Sequence, residues 1–122
     1  MKKVLITDDE LEIVEFLSTF LKRRNVQVVI ATSGGQALDI FRRQPPDLML
    51  LDIDMPDMNG LKILEIVKSE NKRTKVIMVT GKDDKVSISK ATKLGAEGYI
   101  TKPLELSELY SVVAKHLITD EG

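Results

Sequence analysis

The sequence predicts an α/β fold. Five short apolar runs alternate with five amphipathic stretches, joined by connections of a few residues. The runs are continuous rather than alternating, as in strands buried on both faces. Strands and helices in that alternation build a parallel sheet with helices on both sides. The central run, Leu48 to Leu51, stops at a carboxylate, Asp52, and the chain then turns through Pro56 and Asn59-Gly60. Open α/β sheets place ligands at the carboxyl ends of their strands, so Asp52 marks the position around which a site would form.

In chain order, Val4-Leu5-Ile6 reads as the first strand, ending at Thr7-Asp8-Asp9. A helix follows from Leu11, with Leu11, Val14, Leu17 and Leu21 on one stripe that Ile13 and Phe20 widen. Lys22-Arg23-Arg24 suits its C-terminus, where cations complement the helix dipole. Val26 to Ala31 is the second strand. Ser33 is placed to cap a helix carrying Ala37, Leu38 and Phe41, which Pro45-Pro46 stops. Beyond the central strand, Leu61, Leu64, Ile66 and Val67 support a third helix that opens after Gly60. Val76 to Val79 fill a fourth strand over Lys75–Thr80, and Val86, Ile88, Ala91 and Leu94 mark a fourth helix that Gly95 ends. Gly98-Tyr99-Ile100 is a short fifth strand before Thr101-Lys102-Pro103. A last helix is expected from about Glu105 to Leu117, with His116 supporting its C-terminus. With no linker, repeat or low-complexity segment, residues 1–122 read as one domain.

Composition narrows the function. At 43% hydrophobic and 30% charged residues the chain is of ordinary globular type. A net charge of -1 gives no basic field for nucleic acid. The absence of cysteine excludes a disulfide framework, a thiolate metal site and a cysteine nucleophile. Acid follows Met1 too soon for a signal peptide, and no apolar run approaches the ~20 residues that span a bilayer. The expectation is a soluble, cytoplasmic protein that binds neither membrane nor nucleic acid.

The groups able to share a crevice with Asp52 are those at the other strand ends: Asp8-Asp9, Thr80-Gly81 and Lys102-Pro103. Two unit charges ~4 Å apart interact by about 4 kcal/mol at an effective dielectric of ~20, so clustered carboxylates need cations. Lys102 supplies one. Oxygen donors without His or Cys nearby select Mg2+ or Mn2+ over zinc for the other. A carboxylate nucleophile, a hard metal, an ammonium and a hydroxyl are the parts of a phosphoryl-transfer site. The first loop is acidic rather than Gly-rich, which argues against a dinucleotide or P-loop site.

These residues resemble a response-regulator receiver domain of two-component signalling, of the single-domain chemotaxis type. The likeness spans the chain: Asp8-Asp9, Leu50-Leu51-Asp52-Ile53-Asp54-Met55-Pro56 with Gly60, Thr80-Gly81, and Gly95 through Pro103. It implies a flavodoxin-like (βα)5 sandwich with strand order 2-1-3-4-5. It also implies that Asp52 is the phosphoacceptor for a sensor histidine kinase or phosphotransfer protein. Asp8, Asp9, Asp52 and the backbone carbonyl of Asp54 would hold the metal. Lys102, before a cis bond to Pro103, would pair with the phosphoryl group, and Thr80 and Tyr99 would act as the switch. The acyl phosphate would shift the face of the fourth helix, fifth strand and fifth helix toward a downstream target, an output domain or a phosphorylation-dependent dimer. Such a domain regulates, with autophosphorylation and autodephosphorylation as its only chemistry.

The chain departs from the family pattern at Thr7, where an aliphatic residue is usual, and at Gly81, where alanine is commoner. Asp54 and Lys82, each two residues past a key position, are expected to pair across the site mouth and slow water. Two rivals stand beside this reading. One is a pseudo-receiver that binds without phosphorylation. The other is a haloacid-dehalogenase-like phosphatase using Asp52 and Asp54, against which the lack of a cap domain weighs.

Overall fold

A computed structural model describes residues 1–117. The strands are β1 (Lys3–Thr7), β2 (Gln27–Ala31), β3 (Leu48–Leu51), β4 (Lys75–Thr80) and β5 (Gly98–Thr101). The helices are α1 (Leu11–Lys22), α2 (Gly34–Arg43), α3 (Gly60–Glu70), α4 (Lys85–Lys93) and α5 (Leu106–Val112). All strand pairs are parallel, in the order β2-β1-β3-β4-β5 that the resemblance implies.

The continuous apolar runs follow from a sheet packed on both faces. Leu5, Met49, Leu51, Val76 and Met78 meet α2, α3 and α4 through Phe41, Ile63, Leu64, Val67 and Ala91. Their strand neighbours Val4, Ile6, Leu48, Leu50, Ile77 and Val79 meet α1 and α5 through Val14, Leu17, Leu21 and Leu109. Successive strand residues point to opposite faces, so each run must be apolar throughout.

The helix ends follow local chemistry. Ser33 Oγ accepts from Gln36 N at 3.2 Å, Asn59 Oδ1 from Leu61 N at 2.8 Å and Asp84 Oδ2 from Ser87 N at 3.0 Å. After α4, Gly95 takes a φ of +100° while its N–H donates to Thr92 O and that of Ala96 to Ala91 O, closing a Schellman turn.

Two expectations need correction. The last helix ends at Val112 rather than Leu117 and tightens into a 3₁₀ turn over Ala114–His116. Val112 and Val113 are β-branched and weak helix formers, and 3₁₀ turns are common at helix ends. Leu11 and Val86, counted among apolar stripes, are 71% and 62% exposed. Both lie in the first turn of their helices.

Candidate functional site

Thr7 lies opposite Leu51 in the register of β1 with β3, so the next residues, Asp8 and Asp52, end up side by side. Both are nearly inaccessible, at 1% and 3% exposure. Lys102 follows β5 by one residue and reaches back over the sheet end; its backbone N–H donates to Thr80 O at 2.8 Å. Its peptide bond to Pro103 is cis. The Lys102 ammonium lies 2.9 Å from Asp52 Oδ2 and 3.0 Å from Asp8 Oδ2, and it also donates to Glu10 Oε1.

The charges do not balance. Asp8, Glu10 and Asp52 each offer a carboxylate oxygen within 4.8 Å of the others. Three negative charges against one ammonium leave a net charge of −2. Burial pushes the Asp8 carboxyl up, a hydrogen bond from Glu10 N and the nearby Lys102 oppose this, and the Asp52 charge adds to it. Burial alone would lower the pKa of Lys102, but its bonds to Glu10, Asp52 and Asp8 outweigh that and raise it. An all-oxygen cluster with a formal residual charge of −2 fits a hard divalent cation, Mg2+ above all.

Comparison with known proteins agrees with this geometry. Residues 4–114 match the response regulator receiver domain family. The chain belongs to that family. It is 35% identical over 117 residues to the regulatory protein AtoC of Escherichia coli K12, covering 96% of this chain and 25% of that protein. It is 34% identical over 116 residues to sporulation initiation phosphotransferase F of Bacillus subtilis, covering 95% and 94%. It thus spans a quarter of the first relative and nearly all of the second. The response regulator TrrA of Thermotoga maritima, solved in complex with Mg2+-BeF, superposes with a TM-score of 0.85 at 31% identity, covering 95% of this chain and 99% of that one.

Because the match runs along the receiver domain, the phosphatase reading is set aside. Among the described residues, no helix is long and apolar enough to cross a membrane.

The three clustered acids include Glu10, which was not named from sequence; Asp9, which was, stands exposed beside them, as Glu10 also is. The cause is an Asx turn: Asp8 Oδ1 accepts from Glu10 N at 2.9 Å, which folds the loop back and returns Glu10 to the site. An acid two residues after a strand-end Asp is the sequence signal that would have found it. Asp54 meets the site through its N–H, which donates to Asp52 Oδ1 at 3.2 Å. Its side chain approaches Lys82 at 3.9 Å with both groups well exposed, a pair worth at most ~1 kcal/mol.

Thr80 and Tyr99, expected from the resemblance to act as the switch, both bond to one peptide segment. Thr80 Oγ1 accepts from Lys82 N at 3.3 Å, and the Tyr99 hydroxyl donates to Lys82 O. Burial, then the charges of Asp84 and Asp83, raise the Tyr99 pKa, keeping the hydroxyl protonated as a donor. Thr7 Oγ1 is buried without a partner.

Proposed function

We propose that this receiver domain is a phosphorylation switch in which Asp52 takes a phosphoryl group from the phosphohistidine of a sensor kinase or phosphotransfer protein. The observation that carries the reading is the state of Asp52: a buried carboxylate at the end of the central strand, held by Lys102 on one oxygen and by Asp54 N–H on the other. A carboxylate oxygen forms the new O–P bond as the P–N bond of the donor breaks. The imidazole leaves with the electron pair and takes a proton from solvent.

Asp8, Glu10 and Asp52 would hold Mg2+, with Asp9 and the Asp54 carbonyl as further ligands that the resemblance adds. Bound there, the cation would offset the charge of the carboxylates and of the phosphoryl oxygens. Lys102 orients one phosphoryl oxygen through its ammonium. Thr80 Oγ1 accepts from Lys82 N, so its own proton is left to donate to the phosphoryl group, and its turn toward that group would loosen the segment to which Tyr99 is bonded. The rearrangement passes to α4, β5 and α5. Moving from 1% to 99% active needs about 5.5 kcal/mol of differential stabilisation, so a partner or a dimer completes the shift.

Leu11, Val86 and Leu106 stand exposed at the first turns of α1, α4 and α5, the helix ends next to the strand termini that carry the site. That rim suits a protein donor. The target is a protein or an output domain rather than nucleic acid, and the cytoplasm, where ATP-fed kinases act, is the matching compartment. The retained constellation favours this reading over a pseudo-receiver.

Beryllofluoride, which imitates an acyl phosphate, tests the switch. With Mg2+ it should shift the backbone amide resonances of Thr80, Lys82 and Tyr99 in the wild type and leave those of Asp52→Asn unmoved. Shifts confined to residues beside Asp52, with Lys82 and Tyr99 unmoved, would contradict it.

A further inference from the structure

The loop between β3 and α3 is tied at its tip to a different helix. The Asp57 carboxylate accepts from two successive backbone N–H groups at the start of α2, Gly34 N to Oδ1 at 2.7 Å and Gly35 N to Oδ2 at 2.8 Å. Those are groups that a helix leaves unpaired, and the anion sits at the positive end of the dipole. The bonds from Gly35 and Gly34 hold the Asp57 carboxyl below its usual range, so the clamp is charged at neutral pH. α2 already has its own cap, Ser33, so the Asp57 contact serves to join loop and helix.

Met58 makes a second contact between the same partners. A Cβ on Gly34 would lie 2.4 Å from Met58 Cγ, closer than packed atoms come. From this tip the loop runs back to the site. Asp54 bridges Asn59, Gly60 N donates to Ile53 O at 2.7 Å, and Asp54 N donates to Asp52 Oδ1 at 3.2 Å. A continuous path of contacts therefore leads from α2 through Asp57 to the carboxylate of Asp52.

We propose that Asp57 is a positioning residue: by clamping the loop onto α2 it keeps the Asp54 N–H on Asp52 and the reacting carboxylate oxygen in place. The proposal rests on the reading of Asp52 as phosphoacceptor. Asp57 is exposed, and its replacement leaves both cores untouched.

The test compares Asp57→Ala, Asp57→Asn and Ser33→Ala in the whole chain. The readouts are the rate of Mg2+-dependent phosphorylation by acetyl phosphate and hydrogen exchange at the Asp54 amide without phosphodonor. Asp57→Ala should slow phosphorylation about fivefold and speed Asp54 exchange by a similar factor, the size expected for loss of a capping carboxylate. Asp57→Asn keeps one acceptor oxygen and should fall between. Ser33→Ala loosens α2 without touching the loop and should leave both readouts near wild type. Equal losses in Ser33→Ala and Asp57→Ala would overturn the proposal, because helix stability alone would then explain them. Wild-type exchange at Asp54 in Asp57→Ala would overturn it as well. A wild type that takes no phosphoryl group would instead defeat the reading of Asp52, and the exchange measurement would still decide the clamp.

Discussion

Asp8 bears much of the electrostatic cost of the site, and its sign can be worked out. Its folded-state pKa is raised, chiefly by burial, so the folded protein binds that proton more tightly than the unfolded chain. Its ionisation therefore costs stability as pH climbs from the ordinary carboxylate value through the folded one. Asp8→Asn should raise the melting temperature by a few degrees at pH 7 without divalent cation. The gain should fade toward pH 3, where Asp8 is protonated in both states. Thermal unfolding across that range checks it, and a lower melting temperature at pH 7 would contradict it. At this scale the sequence was only partly legible. Asp8, Asp52, Thr80 and Lys102 stand at strand ends, and strand ends can be read from where apolar runs stop. Glu10 was missed because one side-chain-to-backbone bond in the loop brings it to the Lys102 ammonium, and no periodicity reports that.

Among the elements, the loop from Ile53 to Gly60 is the most constrained. A Cβ on Gly60 would sit 2.0 Å from Asp52 O and 2.7 Å from Ile53 Cα, both backbone atoms that cannot swing aside. Gly60→Ala should therefore cost at least ~1–3 kcal/mol, the typical range for overpacking. Urea unfolding measures it, and a cost within ±0.5 kcal/mol, the usual scale of surface substitutions, would show that the loop relaxes. The element map itself was legible, since burial on both faces forces the strands to be apolar throughout. What escaped was the reach of each helix. The stripe carrying Leu11 and that carrying Val86 have helical spacing, yet both residues, in the first turns of α1 and α4, stand exposed. Spacing gives the side of a helix that is apolar, not how far the sheet extends beneath it.

For the whole molecule, the parallel order β2-β1-β3-β4-β5 is what makes the site possible. It sets β1 beside β3, bringing Asp8 to Asp52, and sets β5 beside β4, so that Lys102 and Thr80 approach from the other side. Residues far apart in sequence thus share a crevice while two apolar layers hold the strands rigid. The same order joins site to surface, because the segment after β4 that bonds Thr80 and Tyr99 leads straight into α4.

If Asp52 accepts a phosphoryl group with the help of a divalent cation, intact mass will show it after incubation with acetyl phosphate, with and without Mg2+, for the wild type and Asp52→Asn. One alkali-labile phosphoryl adduct is expected in the wild type only when Mg2+ is present, and none in Asp52→Asn. An unmodified wild type under every condition, or an equal adduct on Asp52→Asn, would contradict it.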